Sequence, residues 1–422
     1  MQMHSNKNGK AIKLKPRFFV IMGVLVILAA LLIFKIVGGM IGGSSDDSSK
    51  QAKKAESAES EPKIVNIKVT AAGDAMTHVP VLDAARQDNG YDFTPTFKYI
   101  QNYIQEADIA FCTFEGSFVD SDFSGYPMFR SPKKLAKDLK TVGFDVLNIA
   151  SNHAVDGGDS GFDSSVKATK DAGLIVSGAQ EKQEDPDYAM VEKDGVKVAI
   201  ISYCYSDGSV EQPALNGSPL SEDVAARCNT FNMKDKKGAV EDAARVEKEA
   251  RKAGAGIVII HMHWGDEYQT HSNEEQQKLA QMFVDGTKCD VIVGSHPHVV
   301  QEYAELKSED GKRSVPCYFA IGNMVSNQRR ELLGGDIHVE EGVMVQFDFE
   351  YDTAEKKVTE IKQTRIPYWS DKYYFSSGKP KFRLVPLVGD YKGNKALQAS
   401  GHGNLAEEAK KELDKILEGK GQ

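Results

Sequence analysis

From residue 64 onward the chain alternates short apolar runs with amphipathic stretches of helical spacing. Strand-like runs occupy residues 64–72, 108–114, 144–150, 257–260 and 291–293. Residues 96–107, 132–142, 160–171, 241–252 and 274–283 repeat apolar positions every three or four residues, which predicts helices. Residues 188–205 predict a β-hairpin, with Lys193-Asp194-Gly195 at its turn. Past residue 298 the rhythm changes to strands alone, at 299–306, 315–321, 342–351 and 357–364. Alternating units followed by consecutive strands imply a mixed sheet, or two stacked sheets flanked by helices. Two segments break the rhythm. Residues 206–237 are rich in turn formers and predict a long loop, of the kind that serves as a lid or binding loop. Residues 405–417 carry a narrow apolar stripe on a charged helix, expected to dock or cap.

Each of the five apolar runs ends in residues able to bind metal or move protons. Residues 64–72 lead into Gly73-Asp74, 108–114 into Glu115, and 144–150 into Asn152-His153 with Asp156 just beyond. The fourth run leads into His261, His263, Asp266 and Glu267, and the fifth into Gly294-Ser295-His296-Pro297-His298. In open α/β sheets ligands bind past the carboxyl ends of the strands, so residues distant in sequence can converge on one edge. A single Asp or His after a strand is usually a turn residue or a satisfied polar group, but five in register predict one metal or catalytic site. His261 and His263 project on the same face if their strand persists, and His296 and His298 share that spacing around a stiffening Pro297. Nitrogen and oxygen donors without Cys suit a divalent ion such as Zn, Mn or Fe. His4, His271, His338 and His402 lack such a context and are expected to be exposed.

The amino terminus adds a second layer. Lys7, Lys10, Lys13, Lys15 and Arg17 precede an apolar run at 18–34 that resumes after Lys35 as residues 36–41. A spanning helix needs roughly 20 apolar residues, so 18–41 predicts a single-pass anchor with Lys35 snorkelling at the outer interface. The positive flank predicts a cytoplasmic tail at 1–17 and an extracellular domain. A cleaved signal peptide is the competing reading, but its apolar region is usually shorter and no A-x-A-like site follows. Residues 42–63, rich in Ser, Ala, Glu, Lys and Asp, predict a flexible linker with a reach of about 25 Å. The domain is then expected at 64–370, with a C-terminal extension at 371–422. The net charge of -9 over 422 residues, with no basic stripe, excludes a general nucleic-acid binder. Of five cysteines, Cys112, Cys289 and Cys317 fall in or beside apolar runs and are expected as small buried hydrophobes, while a Cys204–Cys228 bridge is permitted.

The motifs Gly73-Asp74, Glu115-Gly116, Asn152-His153-Ala154-x-Asp156, His263-Trp264-Gly265-x-Glu267-Tyr268, Gly294-x-His296-Pro297-His298-Val299 and Gly322-Asn323 occur in that order. Together they resemble the CapA family of poly-γ-glutamate capsule synthesis proteins, whose domain is similar to calcineurin-like metallophosphoesterases. Phe129-Arg130-Ser131-Pro132 and the stretch that follows are similar as well, and the resemblance covers residues 64–327. Family members often carry an amino-terminal membrane anchor. Thr113, Ser151 and Ser295 depart from the family's commoner residues. The Asp-x-His spacing of metallophosphoesterases is absent, since Asp74 is followed by Ala75 and Met76, which counts against a full two-metal site.

The resemblance implies a mixed α/β chain folded as a layered αββα metallophosphoesterase-like sandwich. It implies Asp74, Glu115, Asn152, His263, His296 and His298 as ligands of divalent metal, with His153 and Asp156 as catalytic residues. In such a site metal would polarise a scissile ester or amide and activate water, and His153 would protonate the leaving group. Glu267 is the candidate to orient His263, because ligating imidazoles usually donate their other N–H to a carboxylate or carbonyl; a solvated turn carboxylate is the alternative. Arg130 is the candidate to hold a substrate carboxylate or phosphate, or is a surface arginine. The expected function is extracytoplasmic synthesis or export of an anionic polymer such as poly-γ-glutamate, by a metal-dependent hydrolase of a phosphoester or γ-glutamyl bond. The alternative is a non-catalytic partner that binds polymer and the subunits of a membrane synthase.

Overall fold

The computed structural model describes residues 63–335, 338–374 and 378–418. The basic tail, the anchor expected at 18–41 and, save for Lys63, the linker lie outside the described residues. Among the described residues no helix is long and apolar enough to cross a membrane.

Two sheets form the body of the domain. The first runs Pro380–Pro386, Lys357–Tyr374, Glu341–Asp352, Ile64–Ala75, Ile109–Phe114, Val146–Asn148, Ile175–Ser177. It is antiparallel on one side of Ile64–Ala75 and parallel on the other, and Asn323–Val325 pairs with the end of that strand. The second runs Thr230–Asn232, Val196–Ser206, Ala255–His263, Val291–Ser295, Ser314–Tyr318, Tyr303–Lys307. Ala189–Lys193 returns antiparallel on Val196–Ser206, which is the expected hairpin.

Side chains alternate across each strand, and both faces of these sheets are covered, so the strands read as continuous apolar runs. Ile67, Val69 and Phe111 of the first sheet share a core with Val198, Ile259 and Val293 of the second. The outer face of the first sheet, with Cys112 and Leu147, packs on Leu135, Leu139, Phe162 and Val166 from helices Lys134–Val142 and Gly158–Asp171. The outer face of the second, with Val258 and Ile260, packs on Val246, Leu279 and Phe283 from helices Lys236–Lys252 and Glu274–Gly286. The order is therefore helix, sheet, sheet, helix. His261 and His263 share parity with Ile257 and Ile259, so they face the first sheet, and the strand ends meet at the rim of the inter-sheet core.

Several expectations change. The helix at 96–107 is split into Thr94–Phe97 and Gln101–Gln105, because the N–H of Ile100 turns back to the carbonyl of Phe97. That tighter turn keeps Phe97, Ile100 and Ile104 all buried. The strand expected at 299–306 begins only at Tyr303. The loop at 206–237 contains a small hairpin, Ala214–Leu215 with Ser218–Pro219, a turn of helix at Glu222–Ala225, and the edge strand Thr230–Asn232. The boundary read at residue 370 falls inside Lys357–Tyr374, which pairs with Pro380–Pro386. Ala406, Ala409, Leu413 and Ile416 of helix Gly403–Leu417 then join the inter-sheet core. All five cysteines are buried free thiols, so the permitted Cys204–Cys228 bridge is not formed. Of the histidines expected to be exposed, His271 is, whereas His338 and His402 are half-buried beside Glu341 and Asp371.

Candidate metal centre

The strand ends deliver the ligands one by one. Gly73 passes so close to the chain at Gly322 that a Cβ would meet the Gly322 carbonyl oxygen at 2.0 Å. Only glycine permits that approach. It seats Asp74, whose N–H donates to the same carbonyl at 3.1 Å. Glu115 follows Ile109–Phe114 and its N–H donates to the Ala75 carbonyl at 2.9 Å. Asn152 lies in the turn after Val146–Asn148, and His263 closes Ala255–His263. His296 and His298 follow Val291–Ser295 with φ of 95° and 61°. Non-glycine residues reach that region at a cost and hold it where the surroundings fix them. Here the His296 N–H donates to Asp74 Oδ2 at 3.1 Å, and Tyr268 N–H to the Pro297 carbonyl at 2.8 Å.

Six expected ligands thus converge. Ligand atoms of Glu115, His263 and His296 lie within 4.8 Å of one another, as do those of Asp74, Glu115 and His298. Glu115 is common to both groups. Asn152 Oδ1 lies 2.9 Å from His263 Nε2, which adds it to the first. Asp74 Oδ1, both carboxylate oxygens of Glu115 and His296 Nδ1 are buried with no hydrogen-bond partner among the described residues. Buried charges are normally paired or coordinated to metal, so this donor set fits divalent cations. The sequence-based doubt about two sites is answered in part: two groups exist, and the position without a ligand is that of buried Met76.

Electrostatics agree. Burial lifts the Asp74 carboxyl to about 7, against the lowering effect of the His296 N–H. Burial, then Asp74, pushes Glu115 well above its ordinary range. Burial, then His153, holds His296 down at about 3. His263 and His298 are also pushed well below the ordinary imidazole value, first by burial and then by His296. Three neutral imidazoles face two carboxyls that a cation would deprotonate.

The ring orientations have other partners than expected. His263 Nδ1 meets Ser295 Oγ at 3.0 Å, a consequence of the register that pairs His263 with Ser295. Glu267, expected in that role, is exposed and lines a cleft. His298 Nδ1 lies 3.2 Å from Asn323 Oδ1, while Asn323 Nδ2 donates to Gln328 Oε1 and the Val339 carbonyl. With that amide oriented, Nδ1 of His298 is the donor. Asn323 was legible in the Gly322-Asn323 motif; Ser295 stood between two noted residues without a role.

His153 Nδ1 lies 2.8 Å from Asp156 Oδ2, so the two expected catalytic residues form a pair. Asn216, from the small hairpin in the 206–237 loop, accepts from Asn152 Nδ2 at 3.0 Å and places its own Nδ2 3.4 Å from the His153 ring. No sequence pattern marked it. Arg130 does not reach the cleft: its Nε donates to the Asp156 carbonyl at 3.0 Å, and so braces the His153 turn. The cleft, about 720 Å³, is lined by His78, Tyr126, Met128, His153, Glu267 and Tyr268 among others. It approaches the ligands at Tyr268, whose ring centre is 6.0 Å from that of His298.

Fold and site together define a helix–sheet–sheet–helix protein with a candidate two-centre metal site at the strand ends. The chain belongs to the bacterial capsule synthesis protein PGA_cap family, whose profile matches residues 68–328. It is 27% identical over 270 residues to the capsule biosynthesis protein CapA of Bacillus anthracis, covering 62% of this chain and 60% of that one. It is 29% identical over 198 residues to the PGA biosynthesis protein CapA of Bacillus subtilis, covering 46% of each. The chain thus spans less than two thirds of either relative. Among solved structures it is similar to the calcineurin-like phosphoesterase YfkN of Bacillus subtilis, with 15% identity and a TM-score of 0.43 over 82% of this chain and 100% of that one. A phosphatase of Mycoplasma pneumoniae gives 15% identity and a TM-score of 0.40 over 72% and 95%.

Proposed function

We propose that this chain is a metal-dependent hydrolase of capsule synthesis, acting on a phosphoester or γ-glutamyl bond. The observation that carries the reading is the Glu115 carboxylate, buried, unpartnered and common to two ligand groups, beside the His153–Asp156 pair. Metal held by Asp74, Glu115 and His298, and by Glu115, Asn152, His263 and His296, would supply Lewis acidity and activate water. Asp156 accepts from His153 Nδ1–H, which leaves Nε2 as the atom that takes or gives a proton at the cleft. None of the described residues lining the cleft is Lys or Arg, so attraction of an anionic substrate falls to the metal and to neutral donors.

The reading extends to a domain tethered outside the cell membrane by residues 18–41, working on an anionic polymer such as poly-γ-glutamate with membrane synthase subunits. The basic then apolar amino terminus and the family's capsule role support it. The test is elemental analysis of the full-length protein with a screen on aryl phosphoesters and γ-glutamyl peptides. Mn, Zn or Fe should be found, and turnover should vanish in Asp74→Ala. Bound metal without turnover on either class, while Asp74→Ala still stops polymer production in cells, would instead support a non-catalytic polymer-binding partner.

A further inference from the structure

We propose that His78 contacts the substrate, donating its Nε2–H to an anionic oxygen held in the cleft. His78 follows the strand that carries Asp74, stands at the N-cap position of Val79–Ala85 without a side-chain bond to that helix, and lines the cleft. The backbone N–H of Asn327 donates to its Nδ1 at 3.1 Å. A backbone amide can only donate, so Nδ1 holds a lone pair and the neutral ring carries its proton on Nε2. Among the described residues no hydrogen bond engages that Nε2–H. The ring stands edge-on to Phe129 at 4.9 Å, and Phe129 in turn meets His153 at 4.8 Å, also edge-on. Two imidazoles therefore flank one phenyl ring in the same cleft.

Their surroundings assign them different tasks. His153 is paired with a carboxylate and can cycle a proton. Among the described residues His78 has no carboxylate partner; burial, then His153 and Lys372, lowers it to about 4, so it stays neutral and acts as a fixed donor. In a cleft without Lys or Arg such a donor has a clear use. Hydrogen bonds to charged groups matter most where water is excluded.

This inference rests on the hydrolase reading, since the oxygen is the substrate's. Two substitutions separate its parts, because an asparagine Oδ1 reproduces the Nδ1 acceptor and a glutamine Nε2 reproduces the distant donor. The probe is inorganic phosphate, titrated calorimetrically into the Mn²⁺-loaded full-length protein, with metal content and melting temperature measured alongside. His78→Asn should keep metal content and melting temperature but weaken phosphate binding about tenfold or more. His78→Gln should retain most of the affinity while melting lower, through loss of the Asn327 bond. The reverse pattern, with Asn binding as wild type and Gln failing, would make His78 a structural acceptor only. Equal binding by wild type and both variants overturns the proposal alone, whereas absence of phosphate binding by the metal-loaded wild type overturns the proposal and, with it, the phosphoester arm of the hydrolase reading.

Discussion

Glu115 turns one oxygen to each ligand group: Oε1 lies 3.6 Å from His263 Nε2 and Oε2 lies 3.8 Å from His298 Nδ1. Both gaps are too long for hydrogen bonds; Oε1 and His263 Nε2 suit a shared cation, whereas on His298, whose Nδ1 donates to Asn323, Nε2 is the atom left to ligate. Glu115 is therefore the residue on which both groups depend. Glu115→Gln should reduce metal content at both, whereas His298→Ala should affect one. Metal-to-protein ratios by elemental analysis decide this, and an unchanged ratio in Glu115→Gln would remove the shared-carboxylate account.

Metal affinity should rise with pH through about 7. The three imidazoles are already neutral, so the proton to be displaced sits on the carboxyls, and burial holds Asp74 at about 7. Below that value affinity should fall by about tenfold per pH unit for each proton released. Without metal the sign for this group reverses. A carboxyl raised from 3.8 to about 7 favours the protonated fold, so its contribution is complete below 3.8 and is lost as pH rises through about 7. Mn²⁺ titrations from pH 5.5 to 8 test the first sign, and a flat profile contradicts it.

His153→Ala should lower turnover by about 10²- to 10⁴-fold with metal content unchanged, as expected for a proton-transfer group outside both ligand groups. Asp74→Ala should lose both. Single-turnover rates beside elemental analysis separate the two variants; equal metal loss in both would make His153 part of the scaffold.

Gly73→Ala should disturb the fold and the site together. Its Cβ would meet the Gly322 carbonyl at 2.0 Å, and Asp74 hangs from that carbonyl. Overpacking of this kind costs about 1–3 kcal/mol. Denaturant unfolding should show a lowered midpoint, and a wild-type midpoint with full metal loading would show that the backbone yields freely.

The amino terminus sets a test independent of the site. Protease added to intact protoplasts should remove the domain and leave residues 18–41 in the membrane, from the charge bias around them. Protection of the domain, or a mature terminus beyond residue 41, would contradict it.

The apolar runs and the polar residues at their ends were readable directly, because a two-sided buried strand must be apolar until it leaves the core. That logic placed Asp74, Glu115, Asn152, His153, Asp156, His261, His263, His296 and His298 at strand ends, and the family resemblance picked the six expected ligands from among them. Side-chain direction was a different matter. Glu267 was expected to hold His263, but strand register set Ser295 there instead. Arg130 was the candidate to hold substrate or else a surface arginine, and packing turns its Nε onto the Asp156 carbonyl. Asn216 enters from a hairpin turn at φ 48°, and the Nδ1 of His78 is claimed by an amide 249 residues away. Local sequence dictates periodicity and where a strand must end. Which neighbour a polar atom finds depends on how loops from remote segments close over those ends, and only the folded chain decides that.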